Sequence, residues 1–106
     1  MTFANVGSLE AQPGRADELV RILIRPNPEL GEIGCLAYAV GVDPDAPDTV
    51  LVSELWTSAE AHQASLGLPS VQAAIAEARP LLTGVMGGFR FAVQGSPLDP
   101  RADSSG

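Results

Sequence analysis

Apolar residues recur with two different periods along this chain of 106 residues. Ala16, Leu19, Val20 and Leu23 fall at i, i+3, i+4 and i+7, while Asp17, Glu18, Arg21 and Arg25 take the other side, so RADELVRILIR reads as an amphipathic helix. Asp17 stands four residues before Arg21, the favourable order for pairing along a helix. Pro26 and Pro28 stop that helix, because each removes a backbone donor and pushes its predecessor out of helical geometry. Elsewhere the residues are of β type. Residues 2–11 form a strand broken by Gln12-Pro13-Gly14. After a loop from Gly31 to Gly34, CLAYAVGV and TVLVSELW make a hairpin across the turn-rich Asp43–Asp48. Thr57-Ser58-Ala59-Glu60 reads as a capping box with Thr57 as the cap, opening a helix to about Leu66. Gly67-Leu68-Pro69 interrupts it. SVQAAIAEAR then resumes with a buried stripe of Val71, Ala74, Ile75 and Ala78, ended by Pro80. GGFRFAVQ is the last strand, with Phe89, Phe91 and Val93 on one side, and residues 96–106 read as a tail without periodicity.

The resulting order, β-α-β-β-α-β over residues 1–95, is the split βαβ arrangement of an α+β, ferredoxin-like domain with an antiparallel sheet. Both phases of the hairpin strands are apolar: Val50 and Val52 alternate with Leu51 and Leu55, and Leu36, Val40 and Val42 alternate with Cys35, Ala37 and Ala39. A sheet with helices on one face alone should show one polar phase. A homodimer, two sheets closing face to face into an α+β barrel, supplies the missing cover.

Composition narrows the function. Thirteen acidic residues stand against six arginines and no lysine, a net charge of −7, and no stretch interleaves arginine with aromatics, so nucleic acid is a poor partner. One cysteine excludes an internal disulfide, and one cysteine with one histidine gives no zinc-type cluster. No apolar run is long enough for a membrane span, and the N-terminus lacks the character of a signal peptide, so the expected location is the cytoplasm.

Three segments carry a resemblance to a known family: "QPG" between the first strand and helix, "GCLAYAVGVDPDAPDTVLVSELWTSAEAH", and "LPSVQAAI". With them the chain resembles the antibiotic biosynthesis monooxygenase superfamily of dimeric α+β barrels, and within it the quinol monooxygenase-like proteins. Glu-x-Trp at a strand end, followed by a serine-containing cap and a Glu-Ala-His helix, is the most specific part. The resemblance implies a cavity between sheet and helices, and oxygenation of a quinol or polyphenolic aromatic with no flavin, haem or metal cofactor. An electron-rich phenolate passes an electron to dioxygen, so the protein has to deprotonate, orient and keep water away. GVMGG at Gly84–Gly88 precedes a strand and lacks the context of a phosphate loop. Haem-degrading relatives use a histidine about three turns into the helix after the tryptophan, where this chain has Leu66.

Against that chemistry, His62, Trp56 and Asn5 are the candidate catalytic residues. Tyr38, Phe89 and Phe91 are the candidate substrate contacts, with Arg90 a weaker one. His62 is the one side chain whose ordinary pKa lies near neutrality, and it is a base only if it faces the cavity; helix rotation leaves it equally free to face outward. Trp56 is either a core or dimer aromatic or a wall for a planar substrate. Asn5, polar in an apolar strand, either orients a phenolic oxygen or sits at a strand edge. Glu54 shares the phase of Trp56 and is expected to pair with an arginine or backbone donors, and Cys35 to be an inert buried thiol. The rival function is a non-catalytic dimeric module that binds a small molecule in the same fold.

Overall fold

The computed structural model describes residues 2–98. Its elements run β1 (Phe3–Ala11), α1 (Ala16–Leu23), α2 (Pro28–Glu32), β2 (Cys35–Asp43), β3 (Ala46–Trp56), α3 (Ala59–Ser65), α4 (Pro69–Ala78) and, after a 3-10 turn at Arg79–Leu81, β4 (Leu82–Ala92). The strands form one antiparallel sheet in the order β2-β3-β1-β4, the ferredoxin-like α+β arrangement. Most of the expected tail, residues 99–106, lies outside the described residues.

Strand alternation assigns the faces. Val50, Val52 and Trp56 of β3 are buried on the face the helices cover, and their antiparallel neighbours Leu9, Gly7 and Phe3 on β1 share it. The core lies under α1 and α4. Leu19 and Val50 are fully buried there, with Ala11, Ala16, Ala78 and Leu81 packed around them. On the opposite face Leu51, Phe89 and Phe91 are exposed by 39%, 62% and 49%, and the two phenyl rings stack with centroids 6.3 Å apart. Among the described residues no helix is long and apolar enough to cross a membrane.

The structure differs from the sequence expectations in five places. Asn27 caps α2 through Oδ1, which accepts from the Glu29 amide at 3.2 Å, and Pro28 fills its first turn, so part of the expected loop is helical. The cap of α3 is Ser58, not Thr57: its Oγ accepts from the Ala61 amide at 3.0 Å, while the Thr57 amide donates to the Gly34 carbonyl at 2.8 Å. Arg15, not Arg21, makes the local ion pair of the first helix, with Glu18 at 2.6 Å. Ile75 leaves the buried stripe of α4 and is 37% exposed. Strand β4 starts at Leu82 rather than Gly87, because pairing with β1 overrides the low strand preference of its glycines. Gly88, at φ +141°, fits there because a Cβ would run into the Val6 carbonyl oxygen.

Candidate functional site

At the end of the covered face away from Leu19, the sheet changes character. Tyr38, Glu54, Asn5 and Arg90 occupy neighbouring register positions on β2, β3, β1 and β4, a polar row across all four strands. Beside it the same face presents Phe3 opposite Trp56. The chain turns after Trp56, which is 1% exposed, and α3 folds back over the strand end. That reversal carries His62 inward, and the ring, 9% exposed, lies with its centroid 5.6 Å from both Phe3 and Trp56, edge-on to the indole. The sequence question of which way His62 faces is thus answered: it faces the sheet.

Glu54 stands at the centre of these groups. Its Oε2 accepts from Asn5 Nδ2 at 2.8 Å and its Oε1 from Trp56 Nε1 at 3.1 Å. His62 Nε2 is 4.0 Å from the same Oε1, and both side chains are nearly buried. The expected arginine or backbone partner of Glu54 is replaced by these side-chain donors, because the register sets Asn5 directly opposite and leaves Trp56 on the same phase two residues on. The central place of Glu54 follows from strand register, and the alternation of Glu54 with Trp56 opposite a polar Asn5 is the signal that points to it.

Tyr38 links this cluster to an open space. A cavity of about 390 Å³ lies between β2 and the segment joining α1 to α2, walled by Leu23, Arg25, Leu30, Cys35, Tyr38 and Val40. Burial, then the Glu54 charge, pushes the Tyr38 hydroxyl up to about 12, although the residue keeps 39% of its surface exposed. The Cys35 thiol is only half-buried, at the cavity wall; burial, then Glu54, raises its pKa. Asn5, Trp56 and His62 are not part of that wall, which stops at Tyr38. A second hollow of about 370 Å³ lies near Glu10, Asp48, Thr49 and Thr83, with none of the cluster in its lining.

Of the residues singled out from sequence, His62, Trp56 and Asn5 are therefore brought together, and Tyr38 adjoins them through Glu54. Phe89 and Phe91 are not: they pair with Val6 and Ala4, on the phase opposite to Phe3 and Asn5, and lie on the uncovered face. Phe3, which packs on His62, was not marked in the sequence, because a phenylalanine in a strand carries no signal beyond packing. Among the described residues no three His, Cys, Asp or Glu side chains gather closely enough to hold a metal ion.

A structure of a candidate antibiotic biosynthesis monooxygenase from Chloroflexus aurantiacus is 38% identical to this chain, covers 93% of it and 100% of its own length, and superposes with a TM-score of 0.76. A counterpart from Deinococcus radiodurans is 26% identical over 91% of this chain and 95% of its own, with a TM-score of 0.71. A third, from Nitrosomonas europaea, shares 6% identity over 88% of this chain and 90% of its own, with a TM-score of 0.79, a likeness of fold alone. A search of curated proteins gave no match. The family model for antibiotic biosynthesis monooxygenases matches residues 2–77, and the chain belongs to that family.

Proposed function

We propose that this chain is a monooxygenase of small phenolic aromatics, of the hydroquinone or anthrone type, working without flavin, haem or metal. One observation carries the proposal: a histidine, a carboxylate and an indole meet in a nearly dry corner, one register position from a tyrosine that walls an open cavity. A planar ring seated against Tyr38 has room there, since the cavity is within the size range of small-molecule sites. A substrate that reaches past Tyr38 into the corner gives its phenolic proton to His62, and Asn5 orients the oxygen. The phenolate then supplies electrons to dioxygen. In an anthrone-type substrate a ring CH2 becomes C=O, one oxygen atom enters the product and the other leaves as water. The protein's part is orientation, deprotonation and exclusion of water.

The proposal includes a second copy of the chain. Leu51, Phe89 and Phe91 form an exposed apolar face larger in character than the scattered apolar residues of a soluble monomer, and two such faces complement each other about a two-fold axis. Phe89 and Phe91 then serve the interface and not the cavity. A monomeric mass in sedimentation at micromolar concentration contradicts this.

The test of the chemistry is oxygen uptake by metal-stripped protein with a panel of hydroquinones and anthrones, with labelled dioxygen to count the atoms incorporated. Uptake with one labelled atom in the product is expected. The binding-module alternative is favoured by one feature, the cavity wall that ends at Tyr38 without reaching His62. Quenching of Trp56 fluorescence by the same compounds, with no oxygen consumed, supports that alternative.

A further inference from the structure

We propose that Glu54 is the positioning residue of this site: it fixes the Trp56 indole and the Asn5 amide, and it opposes the charge His62 acquires on taking the substrate's proton. This rests on the oxygenase function proposed above. The Glu54 side chain is 12% exposed, and both carboxylate oxygens are engaged, Oε2 by Asn5 and Oε1 by Trp56. Both donors are neutral. Among the described residues the arginine ion pairs go elsewhere, Arg15 to Glu18 and Arg25 to Glu77. A carboxylate so removed from water is costly unless a cation comes within reach, and His62 Nε2, 4.0 Å from Oε1, belongs to the one ionisable ring placed to become that cation.

The other ionisable groups on the elements around Glu54 do not take that place. Tyr38, opposite on β2, is neutral and holds its proton more tightly because of burial and then the Glu54 charge, and Cys35 lies at the start of the same strand. Arg90 is on β4, with Asn5 between it and Glu54 in the register. In the proton step the phenol O–H bond breaks, an N–H bond forms on the imidazole, the substrate is left as phenolate, and the new imidazolium faces the carboxylate. The hydrogen bonds complete the arrangement. Because Asn5 spends one amide hydrogen on Glu54, its amide is held in one orientation, and its second N–H remains to meet the phenolate oxygen.

A mere staple between β1 and β3 would use the same contacts, so the test pairs the indole resonance, which reports the contact, with kcat against KM, which a staple does not move. The chain has one tryptophan, whose indole N–H gives a single nitrogen–proton resonance. In Glu54→Gln the charged acceptor is gone: that resonance is expected to move upfield, and kcat for oxygen uptake with 1,4-naphthohydroquinone to fall about tenfold or more with KM little changed. Glu54→Asp keeps the charge but withdraws it by one methylene; its kcat is expected between those of Gln and the wild type. An unmoved resonance, or wild-type kcat in Glu54→Gln, overturns the proposal. If Glu54→Gln does not fold, wild-type kcat in Glu54→Asp overturns it instead. If the wild-type chain consumes no oxygen with any probe, the oxygenase function falls and the charge role with it. The resonance then decides on its own whether Glu54 holds Trp56.

Discussion

Val50 and Trp56 lie on the same face of the same strand, about 20 Å apart at the usual rise per residue, and their surroundings have little in common. Around Val50 the covered face is closed by aliphatic side chains from α1, α4 and the turn before β4, Leu19 foremost. Around Trp56 it is closed by α3, which sets His62 against Phe3 and buries Ser65, and the neighbouring row of the sheet is polar from edge to edge. Glu54, Asn5 and Trp56 are tied to one another by hydrogen bonds, so the polar end is a connected group and not a packing defect. One end of the face provides stability through apolar contact alone. The other adds to its packed aromatic rings a hydrogen-bonded carboxylate and an imidazole.

The contrast is broken most forcefully at the apolar end. Leu19→Ala is expected to cost about 2–5 kcal/mol, because a fully buried leucine leaves a cavity its rigid neighbours cannot fill, and denaturant unfolding measures it. Per folded molecule, oxygen uptake should be unchanged. His62→Gln should do the reverse. It keeps polarity and approximate size but cannot accept a proton at neutral pH, so uptake at about pH 7 is expected to fall tenfold or more. The loss should shrink as pH approaches the substrate's own phenolic pKa, since an ionised substrate needs no base; a pH–rate profile identical to wild type contradicts the role given to His62.

Tyr38→Phe sharpens the comparison from the cavity side. Free tyrosine ionises near 10, whereas folded Tyr38 holds its proton to about 12. Between those values the unfolded chain has released a proton that the folded chain keeps, so stability falls as pH rises through that window. Tyr38→Phe should remove that part of the alkaline loss, seen as a flatter melting temperature from about pH 10 to 12. The smallest effect belongs to Arg25→Ala. Arg25 makes a two-pronged ion pair with Glu77 that ties the end of α1 to α4, at 2.7 and 3.2 Å, but the pair is open to water. Its removal is expected to leave the melting temperature within experimental scatter in ordinary salt.

The apolar end was the more legible in the sequence. Ala16, Leu19 and Ala78 announce their burial by period, and the strand order follows from the order of elements. At the polar end, Trp56, His62 and Asn5 could be picked out one by one, but their meeting depends on two things no local pattern encodes. One is the register that sets Asn5 opposite Glu54. The other is the rotation of α3, which a cap one residue later than the Thr57 expected from the motif sets differently. The placement of Phe89 failed for the same reason, since its face is fixed by pairing with Val6 and not by its own neighbours. Tyr38 is a substrate contact in the sequence reading, yet the space beside it is bounded by the segment joining α1 to α2 and by Leu30 of α2, a helix which the proline-rich segment concealed.

The most direct measurement is the oxygen-uptake rate of Trp56→Phe per folded molecule, taken beside its melting curve. Phenylalanine keeps most of the packing at this buried position while removing the donor to Glu54 and part of the stacking surface. If the polar end is a catalytic site, the rate falls about tenfold or more while the chain still melts as one cooperative species above the assay temperature. A rate that stays at the wild-type value per folded molecule, with the whole effect appearing as lowered melting, would make Trp56 a core residue and nothing more.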